Sequence, residues 1–99
     1  MKKYMLLYKG PARPGASHAK WPAWFNKAGE NLVSIGSPMK NGFAIHSDGS
    51  KDASATNLNG YSIIQAKNIK EVISLVKDHP FLSPGNNEYS VEIFEIPRA

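Results

Sequence analysis

One stretch of the sequence, Asn59–Pro80, constrains the fold most because it predicts a complete strand followed by a helix. Tyr61–Ala66 is short, rich in β-branched and aromatic residues, and apolar in both directions, which is typical of a strand buried on two faces. Asn68 suits the N-cap of the next helix, with Glu71 three residues later in capping-box spacing. Pro80 ends that helix and favours an extended backbone at the preceding residue. The predicted apolar face of the helix consists of Ile69, Val72, Ile73 and Val76.

The length and the amino-acid composition predict a single globular domain over residues 1–99. Hydrophobic residues make up 41% and charged residues 20%, which is ordinary for a folded chain with a core of its own. The absence of cysteine excludes disulfides and thiolate metal sites and suits a reducing compartment. Because no segment approaches the ~18 apolar residues of a membrane span, we expect a soluble, cytoplasmic protein without a membrane partner.

The net charge of +4 is unevenly distributed. Residues 1–51 hold eight Lys/Arg against two acids, whereas residues 52–99 hold four against six. The basic residues form no cluster in the sequence. This surplus has two interpretations: a solvated basic surface, or a cleft that attracts a small anionic ligand.

The first predicted strand is Lys2–Lys9, in which both faces are apolar. If helices cover one face only, the other face needs a second cover, which indicates a second subunit. Gly10–Lys20 follows as a long loop with two prolines and two glycines, and long loops are often binding loops. His18 lies near its end, where it is either a solvent-exposed loop residue or part of a site.

Trp21–Ile35 is predicted to be the first helix, with Pro22 in its first turn, where a missing N–H costs little. The triplet Gly36-Ser37-Pro38 is predicted to end it. Trp24 is either a core residue or the wall of a pocket with its indole N–H towards a ligand. The predicted apolar stripe consists of Trp21, Trp24, Phe25, Ala28, Leu32 and Ile35.

The remaining elements complete an alternating order. Met39–Asp48 is predicted to be the second strand, strongest over Gly42–Ser47, and Lys51–Leu58 a polar hairpin loop. Phe81–Asn87 is predicted to be a turn, with Pro84-Gly85 in type II geometry, and Glu88–Ile96 the last strand.

The resulting β-α-β-β-α-β order predicts an α+β, ferredoxin-like fold. In this fold four antiparallel strands form one sheet and both helices lie on one face. Right-handed crossovers place the first and third strands in the middle of the sheet. Packing the uncovered face against a twin sheet gives a symmetric homodimer, a dimeric α+β barrel.

Short motifs along nearly the whole chain resemble the YCII-related proteins and their DGPF-domain relatives. The matching segments are Lys3–Tyr8, Trp21-x-x-Trp24-Phe25 leading to Gly29, Gly36–Pro38, Leu58-x-Gly60–Ala66, His79-Pro80 and Val91–Ile93. The resemblance implies a small dimeric α+β-barrel protein. Relatives across this broad superfamily include monooxygenases and lyases that act on small aromatic compounds without a metal. The resemblance therefore implies a ligand of this kind but does not imply a particular reaction.

Two departures from the family pattern concern the site. The Asp-Gly-Pro-Phe signature is absent, and Asp48-Gly49-Ser50 occupies the nearest region. Family members share a histidine at the first helix and an Asp-Pro pair after the second. Here His18 stands for that histidine and His79-Pro80 for the Asp-Pro pair, so no carboxylate orients the first histidine unless Asp78 turns inward. Two imidazoles in one cleft would then be the candidate catalytic groups.

The predicted site collects residues from four elements of the fold. His79 and His18 are the candidate catalytic residues, although a helix-end histidine favoured by the macrodipole is an equal interpretation of His79. The candidate ligand-binding residues are Tyr8, Trp24 and Ser62, and Ile64 could replace Ser62. His18, His46 and His79 lack metal-ligand spacing, so neither a metal nor another cofactor is expected.

Three functions remain open at this point. The first is binding of a small organic, aromatic or anionic ligand by a homodimer, or by a larger assembly, with metal-free acid/base catalysis as its extension. The second is a non-catalytic binding or accessory protein. The third and weakest is RNA binding, because Lys40–His46 resembles the K-G-F-A-F motif of RNA-recognition modules but has Asn41 within the Lys-Gly pair and Ile45 in place of a stacking aromatic.

Overall fold

The computed structural model describes residues 1–11, 20–54, 56–83 and 87–98. Within them it has two helices, six strands and two 3-10 turns. The strands are β1 (Lys2–Lys9), β2 (Leu32–Pro38), β3 (Phe43–Ile45), β4 (Lys51–Ala53), β5 (Leu58–Ala66) and β6 (Ser90–Ile96). The helices are α1 (Trp21–Ala28) and α2 (Ile69–Val76), and the 3-10 turns are Gly29–Asn31 and Pro80–Leu82.

Four of the strands form one antiparallel sheet in the order β2-β5-β1-β6. The two central strands, β1 and β5, pair from Lys2 opposite Ala66 to Tyr8 opposite Gly60. Strands β3 and β4 form a separate two-stranded hairpin. The α+β class, the four-stranded antiparallel sheet and the two helices are therefore as predicted, and the arrangement is consistent with a ferredoxin-like fold.

Both helices cover the same face of the sheet. Alternate residues of the central strands, such as Leu6 and Ile64, are fully buried beneath them. Trp24 of α1 and Val72 of α2 belong to the same core cluster, which shows that one core serves the whole sheet. The opposite face is partly exposed, and Phe94 on it is 52% exposed.

The prediction of a first helix over Trp21–Ile35 was wrong in its second half. Helix α1 ends at Ala28, because Gly29 takes φ +51° and donates its N–H to the carbonyl of Phe25. The next residues alternate between half-buried and exposed along β2. Leu32 and Ile35 fitted a helical spacing, but Val33 and Ile35 are β-branched, and pairing with β5 favoured a strand.

The second strand of the sheet was consequently misplaced. It was predicted at Met39–Asp48, whereas it is β2, and Gly36-Ser37-Pro38 ends a strand rather than a helix. Only Phe43–Ile45 of the predicted segment is extended, and it pairs with β4 outside the main sheet. The predicted loop Lys51–Leu58 contains β4, and β5 begins at Leu58.

The strand–helix unit at Asn59–Pro80 is confirmed in its main features. The Asn68 side chain accepts a hydrogen bond from the Glu71 N–H at 3.1 Å, and His79 has the predicted extended backbone at φ −64°, ψ 135°. The helix is shorter than the predicted ten residues and ends at Val76, and Ile69 and Ile73 are exposed rather than buried.

The elements after α2 also begin at other residues than predicted. Pro80–Leu82 forms a 3-10 turn immediately after His79, so Pro80 begins an element, whereas α2 has already ended at Val76. The last strand begins at Ser90 rather than Glu88. The predicted type II turn at Pro84-Gly85 lies outside the described residues.

None of the helices in the described part of the chain is both long and apolar enough to cross a membrane.

Candidate functional site

The structure brings together four of the residues that the sequence predicted for the site. Tyr8 lies on β1, Ser62 on β5, Trp24 on α1, and His79 between α2 and the Pro80–Leu82 turn. All four are at least 96% buried. The fifth predicted residue, His18, lies outside the described residues.

These side chains form a buried hydrogen-bond chain between two backbone groups. The Phe81 N–H donates to His79 Nδ1 at 3.0 Å, and His79 Nε2 lies 3.1 Å from the Tyr8 hydroxyl. Tyr8 donates to Ser62 Oγ at 2.6 Å, and Ser62 donates to the carbonyl oxygen of Ile35 at 2.8 Å. The buried hydrogen-bond chain therefore runs from the 3-10 turn, through His79, Tyr8 and Ser62, to the edge strand β2.

The two backbone ends fix the positions of the protons along this chain. Because a backbone N–H only donates, Nδ1 of His79 must be the acceptor, so the neutral ring carries its proton on Nε2. That Nε2–H donates to Tyr8, which in turn gives its only hydrogen to Ser62. The backbone carbonyl of Ile35 can only accept, so the series of hydrogen bonds ends there. Every polar group in the buried hydrogen-bond chain thus has a partner.

Burial keeps both titratable residues of the buried hydrogen-bond chain, His79 and Tyr8, neutral. Desolvation lowers the pKa of His79 to about 4, because a charged imidazolium would lose its hydration. Desolvation also raises the pKa of Tyr8 to about 12, and the hydrogen bond to Ser62 opposes that rise only in part. At neutral pH the pair is an imidazole and a phenol, with no net charge.

Aromatic rings surround His79 and hold it in place. Its ring centroid lies 4.2 Å from that of Trp24 and 4.7 Å from that of Trp21. The Trp24 indole N–H donates to the carbonyl of Leu75 at 3.0 Å, which ties α1 to α2. The interpretation in which this N–H points to a ligand is therefore wrong.

A cleft of about 690 Å³ opens beside the buried hydrogen-bond chain, between α1 and the ends of β2 and β5. We call it the aromatic cleft. Five aromatic residues lie along it: Tyr8, Trp21, Phe25, Tyr61 and Phe81. Its polar side chains include Asn26, Ser37 and Asn59, and none of the described residues that line it is charged.

The sequence predicted only part of this cleft. Tyr8 lines it, whereas Ser62 and His79 lie behind its wall and Trp24 faces the other way. Trp21 and Phe25 had been assigned to the core stripe of the first helix. Their spacing of four residues next to Pro22 was the available signal, but periodicity cannot distinguish the wall of a cleft from a core.

His46 does not extend the site. His46 is on the β3–β4 hairpin, where its Nε2 lies 3.0 Å from an Asp52 oxygen in an exposed pair. The described residues contain no group of three His, Cys, Asp or Glu side chains that could hold a metal ion. The segment resembling an RNA-recognition motif lies partly on the same hairpin and not on the central sheet.

Comparison of the chain with protein-family models and with curated proteins finds no match. The resemblance to YCII-related and DGPF-domain proteins, and the cytoplasmic location, therefore stay predictions.

Proposed function

We propose that this protein binds a small, uncharged aromatic compound in the aromatic cleft. The observation that carries the proposal is the lining, which combines five aromatic residues with amide and hydroxyl groups and lacks charged side chains among the described residues. Ligand sites are typically concave and mostly apolar, with a few polar groups that set orientation. An anion would lose hydration there without gaining a cationic partner, so the aromatic alternative is favoured over the anionic one.

The arrangement of the rings also suits a planar ligand. Trp21 meets Tyr8 edge to face with centroids 5.0 Å apart, and it meets Phe25 in the same way at 6.1 Å. Edge-to-face and offset contacts with a further ring are each worth about 0.5–1.5 kcal/mol beyond buried area. The buried hydrogen-bond chain fixes Tyr8 behind this surface, so little ordering is needed when a ligand arrives.

Filling the cleft is expected to abolish binding. Asn26 is exposed on α1 and lines the cleft, so N26W places an indole in the ligand volume at little cost in stability. We expect phenol, indole or benzamide to raise the melting temperature of the wild type in a thermal-shift titration, because a ligand that binds the native state stabilises it. In N26W the same titration is expected to give at least a tenfold weaker response.

The matched control is A23W, which adds the same side chain three residues earlier on the same helix. Ala23 is exposed but lines a different groove, so this variant should respond to the compounds as the wild type does. No response of the wild type to any uncharged aromatic compound, or equal losses in both variants, would contradict the proposal.

Acid/base catalysis is a second candidate, because His79 is hydrogen-bonded to a residue that lines the cleft. In that case Tyr8 would touch the ligand and His79 would hold the tyrosine in place. A general acid or base works best with a pKa near the working pH, whereas these two groups have values of about 12 and about 4. Binding without turnover is therefore the better-supported proposal, and a catalytic role for His79 and His18 stays a prediction.

We also propose that the open face of the sheet packs against that of a second copy. Met5 lies opposite Ile63 on one side and Phe94 on the other, so apolar side chains of three strands form a continuous patch. A water-facing apolar patch of this kind marks a protein interface. A homodimer formed in this way would leave the aromatic cleft, on the helical side, accessible.

A charge within this patch should separate the copies. We expect the wild type to sediment as a dimer in analytical ultracentrifugation and F94E to sediment as a monomer, because the interface would then bury an unpaired carboxylate. The control is F43E, since Phe43 is 71% exposed on the β3–β4 hairpin. A monomeric wild type, or an F94E variant that dimerises as tightly as the wild type, would contradict the dimer.

A further inference from the structure

A second groove, of about 470 Å³, lies on the other side of Trp24 from the aromatic cleft. It runs between α1 and the segment that links α2 to the Pro80–Leu82 turn. Lys20, Ala23 and Lys27 line it from α1 and its N-cap, at a spacing of three and four residues that places them on one side of the helix. Lys77 lines it from the end of α2. We call it the lysine groove.

The lysine groove carries a positive charge that its own residues do not neutralise. Three lysines face one acid, Asp78, among the described residues of the lining, which leaves a net charge of +2. Asp78 is already engaged, because its Oδ2 lies 3.1 Å from Nζ of Lys27. Lys20 and Lys77 therefore provide the uncompensated charge, and both are exposed and able to move towards a ligand.

Apart from His79 and Ser83, the walls between these lysines are apolar. Trp24 lines the groove although it is only 4% exposed, and because its indole N–H is used by the carbonyl of Leu75, the edge that reaches the groove is carbon. Pro80 and Leu82 lie on the opposite wall. The combination of apolar walls and an ammonium rim suits a molecule with a hydrophobic body and an anionic head.

We propose that the lysine groove is a separate binding site for a small organic anion, such as an aryl phosphate or aryl carboxylate. Its apolar body lies against Trp24, and its head pairs with Lys20 and Lys77. Of the basic residues that make up the surplus in residues 1–51, Lys20 contributes to this groove, on the far side of Trp24 from the uncharged cleft. This proposal is independent of the ligand of the aromatic cleft.

The test is a calorimetric or NMR titration with phenyl phosphate. K20Q/K77Q removes two positive charges from the rim and is expected to weaken binding about tenfold, because two charge-assisted contacts to the phosphate are lost. Raising the salt concentration from 50 to 500 mM should weaken wild-type binding and have a smaller effect on this variant, because exposed charges are screened. All four lysines substituted here and in the control are exposed, so folding should not be affected.

The matched control is K40Q/K51Q, which lowers the net charge by the same two units away from the groove. It should bind phenyl phosphate within twofold of the wild type. A23W, which fills the lysine groove, should lose phenyl phosphate binding, whereas N26W should keep it. Equal weakening in both lysine variants, unchanged binding in A23W, or no measurable binding by the wild type would overturn the proposal.

Discussion

Acidification from pH 6.5 to about 4 is expected to cost the protein about 3 kcal/mol of unfolding free energy through His79 alone. In the native state its pKa is lowered to about 4 by burial, whereas an exposed histidine in the unfolded chain takes up a proton near pH 6.5. Between these values the unfolded chain binds more protons, so the stability that is complete above pH 6.5 is lost as the pH falls through the native pKa. Urea titrations at a series of pH values measure this slope.

The physical origin of the loss is the fixed direction of the buried hydrogen-bond chain. A proton can enter the His79 ring only at Nδ1, which already accepts the Phe81 N–H, so protonation breaks this bond and turns two donors towards each other. A buried imidazolium would also lie among the rings of Trp21 and Trp24. Its hydrogen-bond partners in the described part of the chain, the Tyr8 hydroxyl and the Phe81 N–H, include no carboxylate. The native state therefore resists protonation.

H79N isolates this effect from the titration of the carboxylates. An asparagine can still cap the Pro80–Leu82 turn by accepting the Phe81 N–H, but it does not titrate. We expect H79N to be about 2 kcal/mol less stable than the wild type at pH 7, because Tyr8 loses a partner, and the gap should close as the pH approaches 4. H46N, on the exposed hairpin, should preserve most of the pH-dependent loss, and a constant gap between wild type and H79N would contradict the prediction.

G36A is expected to destabilise the protein by about 3 kcal/mol or more. Gly36 has φ +75°, which disfavours any side chain, and a Cβ atom there would overlap the carbonyl oxygen of Tyr61 on β5. The edge strand would have to move away from β5, and the Ile35 carbonyl would no longer meet Ser62 at 2.8 Å. The midpoint of chemical denaturation measures the loss.

G49A separates strain from overlap. Gly49 has a similar φ of +87°, but nothing lies within 4 Å of the position of its Cβ atom. This variant should therefore lose only the unfolding free energy that a side chain at positive φ costs, about 1 kcal/mol. If G36A and G49A were equally stable, the close approach of β2 to β5 would not be a source of stability, and the register of the edge strand would need another explanation.

Local signals were sufficient where sequence and tertiary structure favour the same conformation. Tyr61–Ala66 is apolar in both directions and lies in the centre of the sheet, and the Asn68 cap forms as its spacing predicted. Pro80 fixed the backbone of His79, which in turn directs its side chain towards Tyr8. The prediction that Tyr8, Trp24, Ser62 and His79 lie together followed from these elements and the expected fold.

Local signals failed where one pattern fits two structures. Leu32 and Ile35 extend a helical stripe as easily as they belong to a strand, and only the hydrogen bonds offered by β5 decide between them. Gly29, which ends α1 with a positive φ, was not distinguished from a glycine tolerated within a helix. The misplaced second strand then hid the contribution of β2 to the aromatic cleft.

The sequence by itself determined the α+β class, the central strands and the cluster around His79, because short-range periodicity, capping and proline restrict the backbone without help from distant residues. Only the tertiary structure decided the edge strand, the direction of the buried hydrogen-bond chain and the separation of an uncharged cleft from a basic groove. These features depend on contacts between residues far apart in the chain, such as Tyr8 with Ser62 and Trp24 with Leu75, whose geometry no local pattern encodes.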